Sequence, residues 1–464
     1  MTKRVFIAVP SITPPDIIKN MRRRVRRLGF EPVFAVDVVQ VESDEQKNFH
    51  AICEAMTSCD IMIANLTPFL GVEPDPDVIF QLGYMAAQNK SVHSYTNVSK
   101  PFYERVLDWN ENPFICKEQT SASDNPTLSN YDRNGMRIEN MGIKNHEIDP
   151  ENSGLDSYHN LMLEGPSIMS DTAVLTPQLC GFSDIPEAEL YSDTVVFNRV
   201  CQQIKHRLQM EQKPSSAYPE NIESSNAAYL AGPGVFLPDF NSYFTRAKEC
   251  ANSFHLIGVS PNDATMNFGP IQAMALPNGN NPLLRRGLYE ARLGIMKMTR
   301  IGVFNLTPYH GVAAESGTIF DMGYMTGKNK ALGREPMVFG FSNSPDTLEQ
   351  RIKNWHQRPF GPSYGSEIAI KTTCNIVYSL MIDGAILASG GFLDHRPSSL
   401  VANACDLKGV ETYSNLRTFE ACVANTCLNI QEKQGPGTSR YSIWSTPPVD
   451  STCNPKQRLG ARVC

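Results

Sequence analysis

The 464-residue sequence has no long apolar run, no paired-cysteine motif and no excess of positive charge. No stretch approaches the ~18 consecutive apolar residues that a membrane-spanning helix requires. The twelve cysteines form no Cys-x-x-Cys pair and no zinc-type spacing with histidine, so they predict neither a metal site nor a disulfide framework. A net charge of −6 gives no reason to expect affinity for a nucleic-acid backbone.

The start of the sequence also lacks a secretory signal. Residues 4–9 form a strand-like apolar run at once, which leaves no room for the charged and apolar regions of a signal peptide. The cysteines are interpreted as reduced thiols, as is usual in the cytosol. We therefore expect a cytoplasmic protein whose partners include neither a membrane nor a nucleic acid.

The strongest feature that is present is an internal repeat. Residues 309–325 match residues 69–85 without a gap, at a constant spacing of 240 residues. The tetrapeptide Asn-Leu-Thr-Pro precedes both copies, at 65–68 and 305–308. Because this period is far longer than that of a solenoid repeat, the sequence predicts two copies of one domain.

Each copy alternates apolar strands with amphipathic helices. In the first copy the pattern predicts strands at 4–9, 31–38 and 61–66 and helices at 16–28, 44–56 and 78–88. This alternation indicates an α/β fold in which a parallel sheet carries helices on both faces. Two glycines on the predicted site helices, Gly83 and Gly323, are expected to allow close helix packing.

Polar segments mark the domain boundaries. We predict a first domain at 1–208, a linker at 209–227, a second domain at 228–428 and a disordered tail at 429–464. Residues 116–158 are interpreted as a long polar surface loop, and residues 388–408 as an insertion.

Two carboxylates of the second copy, Glu315 and Asp321, lie six residues apart around a Gly-Thr step. The surrounding pattern reads as strand, loop and helix, with Glu315 in the loop and Asp321 in the first turns of the helix. Helix N-terminal amides are expected to favour the ionised form of Asp321. An ionised carboxylate at the carboxyl end of a strand suits attack on a small ligand. His310, in the same loop, is expected to be a surface histidine.

Three sequence blocks resemble the nucleoside 2-deoxyribosyltransferases. They are Tyr-Leu-Ala-Gly-Pro at 229–233, Asn-Leu-Thr-Pro-Tyr-x-Gly at 305–311 and Glu-x-Gly-Thr-x-Phe-Asp-x-Gly-Tyr at 315–324. The resemblance implies two flavodoxin-like (Rossmann-like) domains arranged as a pseudo-dimer. It also implies a double displacement for nucleoside salvage, in which a carboxylate takes 2-deoxyribose from one nucleobase and a second base takes it from the covalent intermediate. The resemblance implies no metal and no cofactor.

The resemblance assigns roles by position. Asp321 would be the nucleophile, Glu315 would engage the ligand and Tyr229 would orient the nucleophile. Gly232 would give the backbone room beside the sugar, and Asn160 and Met162 match residues that family members lend to a neighbouring subunit. The residues expected to bind substrate are Gly232, Pro233, Gly317, Asn160 and Met162.

The two copies differ at these positions in a way that predicts one working site. The first copy has Gln81 in place of the nucleophile and Phe6 in place of Tyr229, so its own site should be inactive because a neutral amide is no carboxylate nucleophile. It nevertheless keeps Asn160, whereas the second copy has Ser379 at the matching position. The interpretation is a covalent pseudo-dimer with a single composite site. The sequence leaves open whether this pseudo-dimer stands alone or associates into a larger homo-oligomer.

The sequence leaves several alternatives open. Asp321 is one methylene shorter than the glutamate of the family and Glu315 one methylene longer than the aspartate, so either could be the nucleophile. Arg300 stands at the position where the first copy has Asp60. It could favour a phosphorylated sugar or pair with a surface acid. The transferase hypothesis stands beside an N-glycoside hydrolase of deoxynucleosides or deoxynucleotides, and beside a nucleoside-binding pseudoenzyme.

Overall fold

The computed structural model describes residues 2–40, 45–69, 71–102, 105–106, 114–117, 128–131, 136, 160–210, 224–263, 282–344, 346, 348–353, 378–391, 407 and 409–434. The first half contains, in chain order, β1 (Arg4–Ala8), α1 (Pro15–Arg27), β2 (Glu31–Val33), α2 (Glu45–Thr57), β3 (Ile61–Asn65), α3 (Pro76–Ala87), β4 (Ser91–Tyr95), β5 (Phe114–Lys117), β6 (Leu128–Tyr131), α4 (Leu161–Met169) and α5 (Val195–Met210). The second half contains β7 (Ser224–Ala231), α6 (Phe240–Ser253), β8 (Ile257–Val259), α7 (Pro282–Met298), β9 (Thr299–Asn305), α8 (Ser316–Ala331), β10 (Val338–Phe341), α9 (Leu348–Lys353), α10 (Leu380–Ala388), α11 (Val410–Ser414) and α12 (Arg417–Gln434).

Each half builds one four-stranded sheet whose described strands are all parallel. The strand order is β2-β1-β3-β4 in the first half and β8-β7-β9-β10 in the second, so equivalent strands occupy equivalent places. The prediction of two α/β domains with parallel sheets is confirmed. In both sheets the order reverses between two neighbouring strands, β1 and β3 or β7 and β9, and the crevice at the carboxyl ends of such strands is the usual ligand site of this architecture.

Alternate residues of the strands face opposite sides of each sheet. Val5 and Ile7 of β1 pack on the side that holds α1 and α5, while Phe6 lies on the other side. In β7, Leu230 packs towards α6 and α12, while Tyr229 faces the opposite side. The sheet faces that carry Phe6 and Tyr229 pack with α3, α8 and α10 into one apolar core, which contains side chains from both halves.

The two halves meet at the closely packed helices α3 and α8. A Cβ atom on Gly83 would lie 2.2 Å from the carbonyl oxygen of Phe320, and one on Gly323 would lie 2.1 Å from that of Phe80. The expectation that these glycines allow close helix packing agrees with this contact. A second symmetric pair of close contacts joins the two halves. Gly165 lies against the side chain of Tyr289, and Gly384 lies against the side chain of Phe49.

Several predicted boundaries were wrong. The strand predicted at 31–38 ends at Val33, because the Asp37 carboxylate accepts the backbone N–H of Phe34 at 3.0 Å and stabilises a 3₁₀ turn there. Strand β4 was not predicted. At the start of the predicted polar loop, Phe114–Lys117 pairs antiparallel with Leu128–Tyr131. Apart from Met136, which is buried, the rest of that loop lies outside the described residues.

The linker and tail boundaries also differ from the prediction. Helix α5 continues to Met210, and β7 begins at Ser224; both residues fall inside the predicted linker. Ser224 pairs with Thr299 of β9. Helix α12 continues to Gln434, beyond the predicted start of the tail, because its buried stripe anchors it on the second sheet. The rest of the linker, the tail after residue 434 and most of the insertion at 388–408 lie outside the described residues.

None of the helices in the described ranges combines the length and the apolar character that crossing a membrane requires.

The glycine contact between α3 and α8 gives a stability prediction. Gly323→Ala places a methyl group against the backbone of α3, and overpacking of this kind costs about 1–3 kcal/mol of unfolding free energy. The matched control is Gly294→Ala on α7, where a Cβ would meet nothing within 4 Å, so removing a helical glycine should stabilise by about 0.5–1 kcal/mol. Urea unfolding of the three proteins measures both effects; an unchanged midpoint for Gly323→Ala would contradict the contact.

Candidate active site

Asp321 lies in the second turn of α8, close to the carboxyl edge of the second sheet, and its side chain is fully buried. Its Oδ2 accepts a hydrogen bond of 2.8 Å from the hydroxyl of Tyr229 on β7 and one of 2.6 Å from Nη2 of Arg292 on α7. Nε of Arg292 also donates to the Tyr229 oxygen at 3.2 Å. The three side chains form a closed triangle, and the structure thus brings the two predicted residues Tyr229 and Asp321 into contact.

The environment of Asp321 differs from the expected one. Burial raises its pKa to about 6, although the charge of Arg292 and the hydrogen bonds from Arg292 and Tyr229 act to lower that pKa. Nearby Glu315 raises it further. The helix N-terminal amides do not contact Asp321, so the expectation that they would favour its ionised form was wrong; they bind Glu315 instead. Among the described residues, Oδ1 of Asp321 has no hydrogen-bond partner.

Glu315 is the N-cap residue of α8. Its Oε1 accepts the backbone N–H of Gly317 at 2.8 Å, and its Oε2 accepts both the backbone N–H and the hydroxyl of Thr318 at 2.7 Å. A fourth bond comes from Asn160. Both carboxylate oxygens are therefore used in fixing the start of the helix that carries Asp321.

Asn160 connects the two halves at this point. It is the N-cap of α4 in the first half, where its Oδ1 accepts the backbone N–H of Met162 at 3.0 Å. Its Nδ2 donates to Oε1 of Glu315, in the second half, at 2.8 Å. Glycine at 317 leaves room for this contact, because a Cβ there would lie 2.8 Å from Oε1 of Glu315 and 3.2 Å from Nδ2 of Asn160, and the two side chains would have to shift. The Met162 side chain is buried in the shared core.

Gly232 and Pro233 follow the end of β7. A Cβ on Gly232 would lie 2.4 Å from Cβ of Asn305 at the end of β9, so glycine here allows the two chain segments to approach closely. The room that Gly232 would give beside a sugar stays a prediction. Pro233 is buried and begins a short 3₁₀ turn. Asn305 in turn accepts the backbone N–H of Thr307 at 3.0 Å, which fixes the loop that leads to Glu315.

Two other residues of interest take different places. His310, expected at the surface, is only 7% exposed; its ring stacks on Tyr309 and its carbonyl oxygen accepts the backbone N–H of Val72 in the first half. Its burial follows from its place where the two halves touch, which a single-domain pattern does not reveal. Arg300 lies near the amino end of β9, at the opposite end of the strand from Asn305.

The equivalent region of the first half has none of the three side chains of the triangle. At the spacing of 240 residues Ile52 corresponds to Arg292 and Gln81 to Asp321, and Phe6 replaces Tyr229. Asp77 stands where the second half has Gly317, and its Oδ1 accepts the backbone N–H of Met381 at 2.9 Å. Burial and the neighbouring Asp75 raise the pKa of Asp77 to about 7.

Sequence reasoning missed Arg292. The signal for it was present, because Arg292 is replaced by an apolar residue in the same half that has lost the acid and the tyrosine. The helix that carries it matches the first half through Phe49 and Tyr289, which occupy equivalent contacts with Gly384 and Gly165.

Comparison with known proteins agrees with the repeat and the site blocks. The family described as nucleoside 2-deoxyribosyltransferase matches residues 13–147 and 228–377, one range in each half. A solved structure titled 2-desoxiribosyltransferase, from Leishmania mexicana, is 21% identical over 34% of this chain and 89% of its own, with a TM-score of 0.22. No curated protein sequence matches the chain at a significant level. Because the two matched ranges together cover more than half of the sequence, the chain belongs to the nucleoside 2-deoxyribosyltransferase family, with the domain present twice.

Proposed function

We propose that this protein transfers 2-deoxyribose between nucleobases through a covalent intermediate on Asp321. The observation that carries the proposal is the bonding of that buried carboxylate. Tyr229 and Arg292 both donate to Oδ2, and Oδ1 is without a partner in the described part of the chain. Such a carboxylate is fixed in place through one oxygen, and its other oxygen is available to attack a substrate, as a nucleophile requires.

The chemistry balances without a cofactor. A lone pair of Oδ1 forms a bond to C1′ of the 2-deoxyribose while the C1′–N bond breaks, and the electron pair leaves with the base, which takes up a proton from solvent. In the second step a ring nitrogen of another base attacks C1′, the C1′–O bond breaks and its electron pair restores the Asp321 carboxylate, while the incoming base releases its ring-nitrogen proton to solvent. Each step passes through an oxocarbenium-like state that the nearby carboxylates stabilise.

The bonds of Glu315 favour Asp321 over Glu315 as the nucleophile. Glu315 accepts four hydrogen bonds with its two oxygens, including two from the backbone of α8. Attack by Glu315 would leave those buried donors unsatisfied, at a cost of about 1–3 kcal/mol for each one that is lost. We therefore assign Glu315 the role of fixing the start of α8 and, with it, the position of Asp321.

We further propose that the two halves form a covalent pseudo-dimer with one composite site. The second half supplies Tyr229 and Asp321, and the first half supplies Asn160, whose side chain crosses to Glu315. The opposite contact, from α10 to the first half, ends on Asp77, which accepts the backbone N–H of Met381 and a hydrogen bond from the Ser379 side chain. With Gln81 in place of the acid, the first half has no carboxylate at the position equivalent to Asp321.

The assignment of the nucleophile is tested by two variants that each remove one carboxylate. Asp321→Asn should lower transfer from deoxyinosine to adenine by at least about 10³-fold with the fold retained, because an amide cannot form the intermediate. Glu315→Gln keeps a side chain that accepts hydrogen bonds and should keep measurable transfer. Separation of deoxyadenosine from the substrates measures both. Full activity in Asp321→Asn would refute the assignment, and release of hypoxanthine without deoxyadenosine would make the protein a hydrolase.

The composite site is tested by Asn160→Ser. Serine is a good N-cap, as Ser379 is for α10, but at position 160 it is too short to reach Glu315, so stability should change little. Loss of the 2.8 Å contact should lower kcat/KM by about 10–100-fold, the range for a small misplacement of catalytic groups. Ser379→Ala is the matched control, and it should leave kcat/KM unchanged. Equal effects of the two changes on kcat/KM would rule out a site shared between the halves.

A further inference from the structure

The guanidinium of Arg292 contacts both other members of the triangle. Its Nη2 lies 2.6 Å from Oδ2 of Asp321, and its Nε lies 3.2 Å from the Tyr229 oxygen. The Asp321 side chain is 0% exposed, whereas that of Arg292 is 19% exposed. Arg292 thus fixes the carboxylate and the phenol relative to each other, and it closes the triangle on the solvent side.

The chain contains its own comparison for this residue. The first half keeps the sheet, the glycine contacts and the helix equivalent to α7, yet it has lost all three members of the triangle together. Ile52 replaces the arginine in the half where Gln81 replaces the acid. If Arg292 served only to pack α7 on the sheet, there would be no reason for the arginine and the acid to be replaced in the same half. Their joint replacement indicates that the two side chains act as a unit.

A fully buried carboxylate needs a compensating charge to remain ionised. The titratable groups that face Asp321 come from separate elements: Arg292 from α7, Tyr229 from β7 and Glu315 from the start of α8. Helix α4 packs against α7 and α8 and carries the acid Glu164, which is paired with Arg285 of α7. Within the described ranges, Arg292 is the one cation in contact with Asp321.

We propose that Arg292 is the positioning residue of this active site: it keeps the buried Asp321 carboxylate ionised and holds its Oδ2, so that Oδ1 is left for attack. The inference rests on the proposed function for the identity of the reaction. It adds a residue from a helix that none of the family-like sequence blocks contains. A positive charge at this place also explains how a carboxylate with no exposure can act as an anion near neutral pH.

The test is the pH profile of base release in a single turnover. In the parent protein burial raises the pKa of Asp321 to about 6, so the rate should fall about tenfold per pH unit below that value as the inactive, protonated form accumulates. Arg292→Gln removes a charge that lowers the pKa of its partner, so the midpoint should move to higher pH by about 1–3 units. Arg292→Lys keeps the charge and should restore the midpoint to within about one unit of the parent.

The matched control is Arg286→Gln on the same helix. Arg286 is exposed and pairs with Glu290 at 3.1 Å, away from the triangle, so its removal should leave the midpoint unchanged. A purely structural role of Arg292 would lower activity equally at every pH in Arg292→Gln, and lysine would not rescue it. That pattern would overturn the proposal.

A second measurement does not depend on turnover. Difference infrared spectroscopy follows the C=O band of protonated Asp321 as pH changes, with Asp321→Asn as the blank. An upward displacement of the midpoint in Arg292→Gln supports the proposal, and identical midpoints in that variant and the parent would overturn it. If the parent turned over no deoxynucleoside, the proposed function would fail, while this titration would still decide what Arg292 does to the carboxylate.

Discussion

The buried Asp321 carboxylate is the constraint around which the second half is built. An unpaired charge in the interior costs many kcal/mol, so its position requires a cation and donors delivered from different parts of the chain. Strand β7 brings Tyr229, helix α7 brings Arg292, and the α8 N-terminus is fixed by Glu315. A parallel sheet with helices on one shared face can bring these elements together at the carboxyl edge of neighbouring strands.

Duplication allows residues from the two halves to meet at one place. The glycine contacts between α3 and α8 require two halves that pack backbone to backbone, and this places α4 of the first half beside the start of α8. Asn160 can then cap its own helix and also reach Glu315. At the equivalent place in the first half, Asp77 replaces Gly317 and accepts the backbone N–H of Met381. The two halves therefore share the backbone arrangement but differ in the side chains at this contact.

Much of this arrangement could be predicted from the sequence, because it depends on local patterns. Apolar alternation predicted the parallel sheets, and the 240-residue spacing predicted two domains. The pairing of Tyr229 with Asp321 came from the resemblance of the sequence blocks to the family. Arg292 escaped prediction because its role depends on how α7 crosses the sheet, which periodicity does not encode. The hydrogen bond from Asn160 to Glu315 and the burial of His310 likewise depend on contacts that form only when the halves pack together.

The most direct test of the central claim is to find where the sugar becomes attached. A deoxynucleoside carrying fluorine at C2′ forms and loses its intermediate slowly, because the electronegative substituent disfavours the oxocarbenium-like state of both steps. After incubation and proteolysis, mass spectrometry of the peptides locates the added pentose. The account predicts the sugar on Asp321, with none in Asp321→Asn. Attachment to Glu315, or base release with no labelled peptide at all, would contradict it.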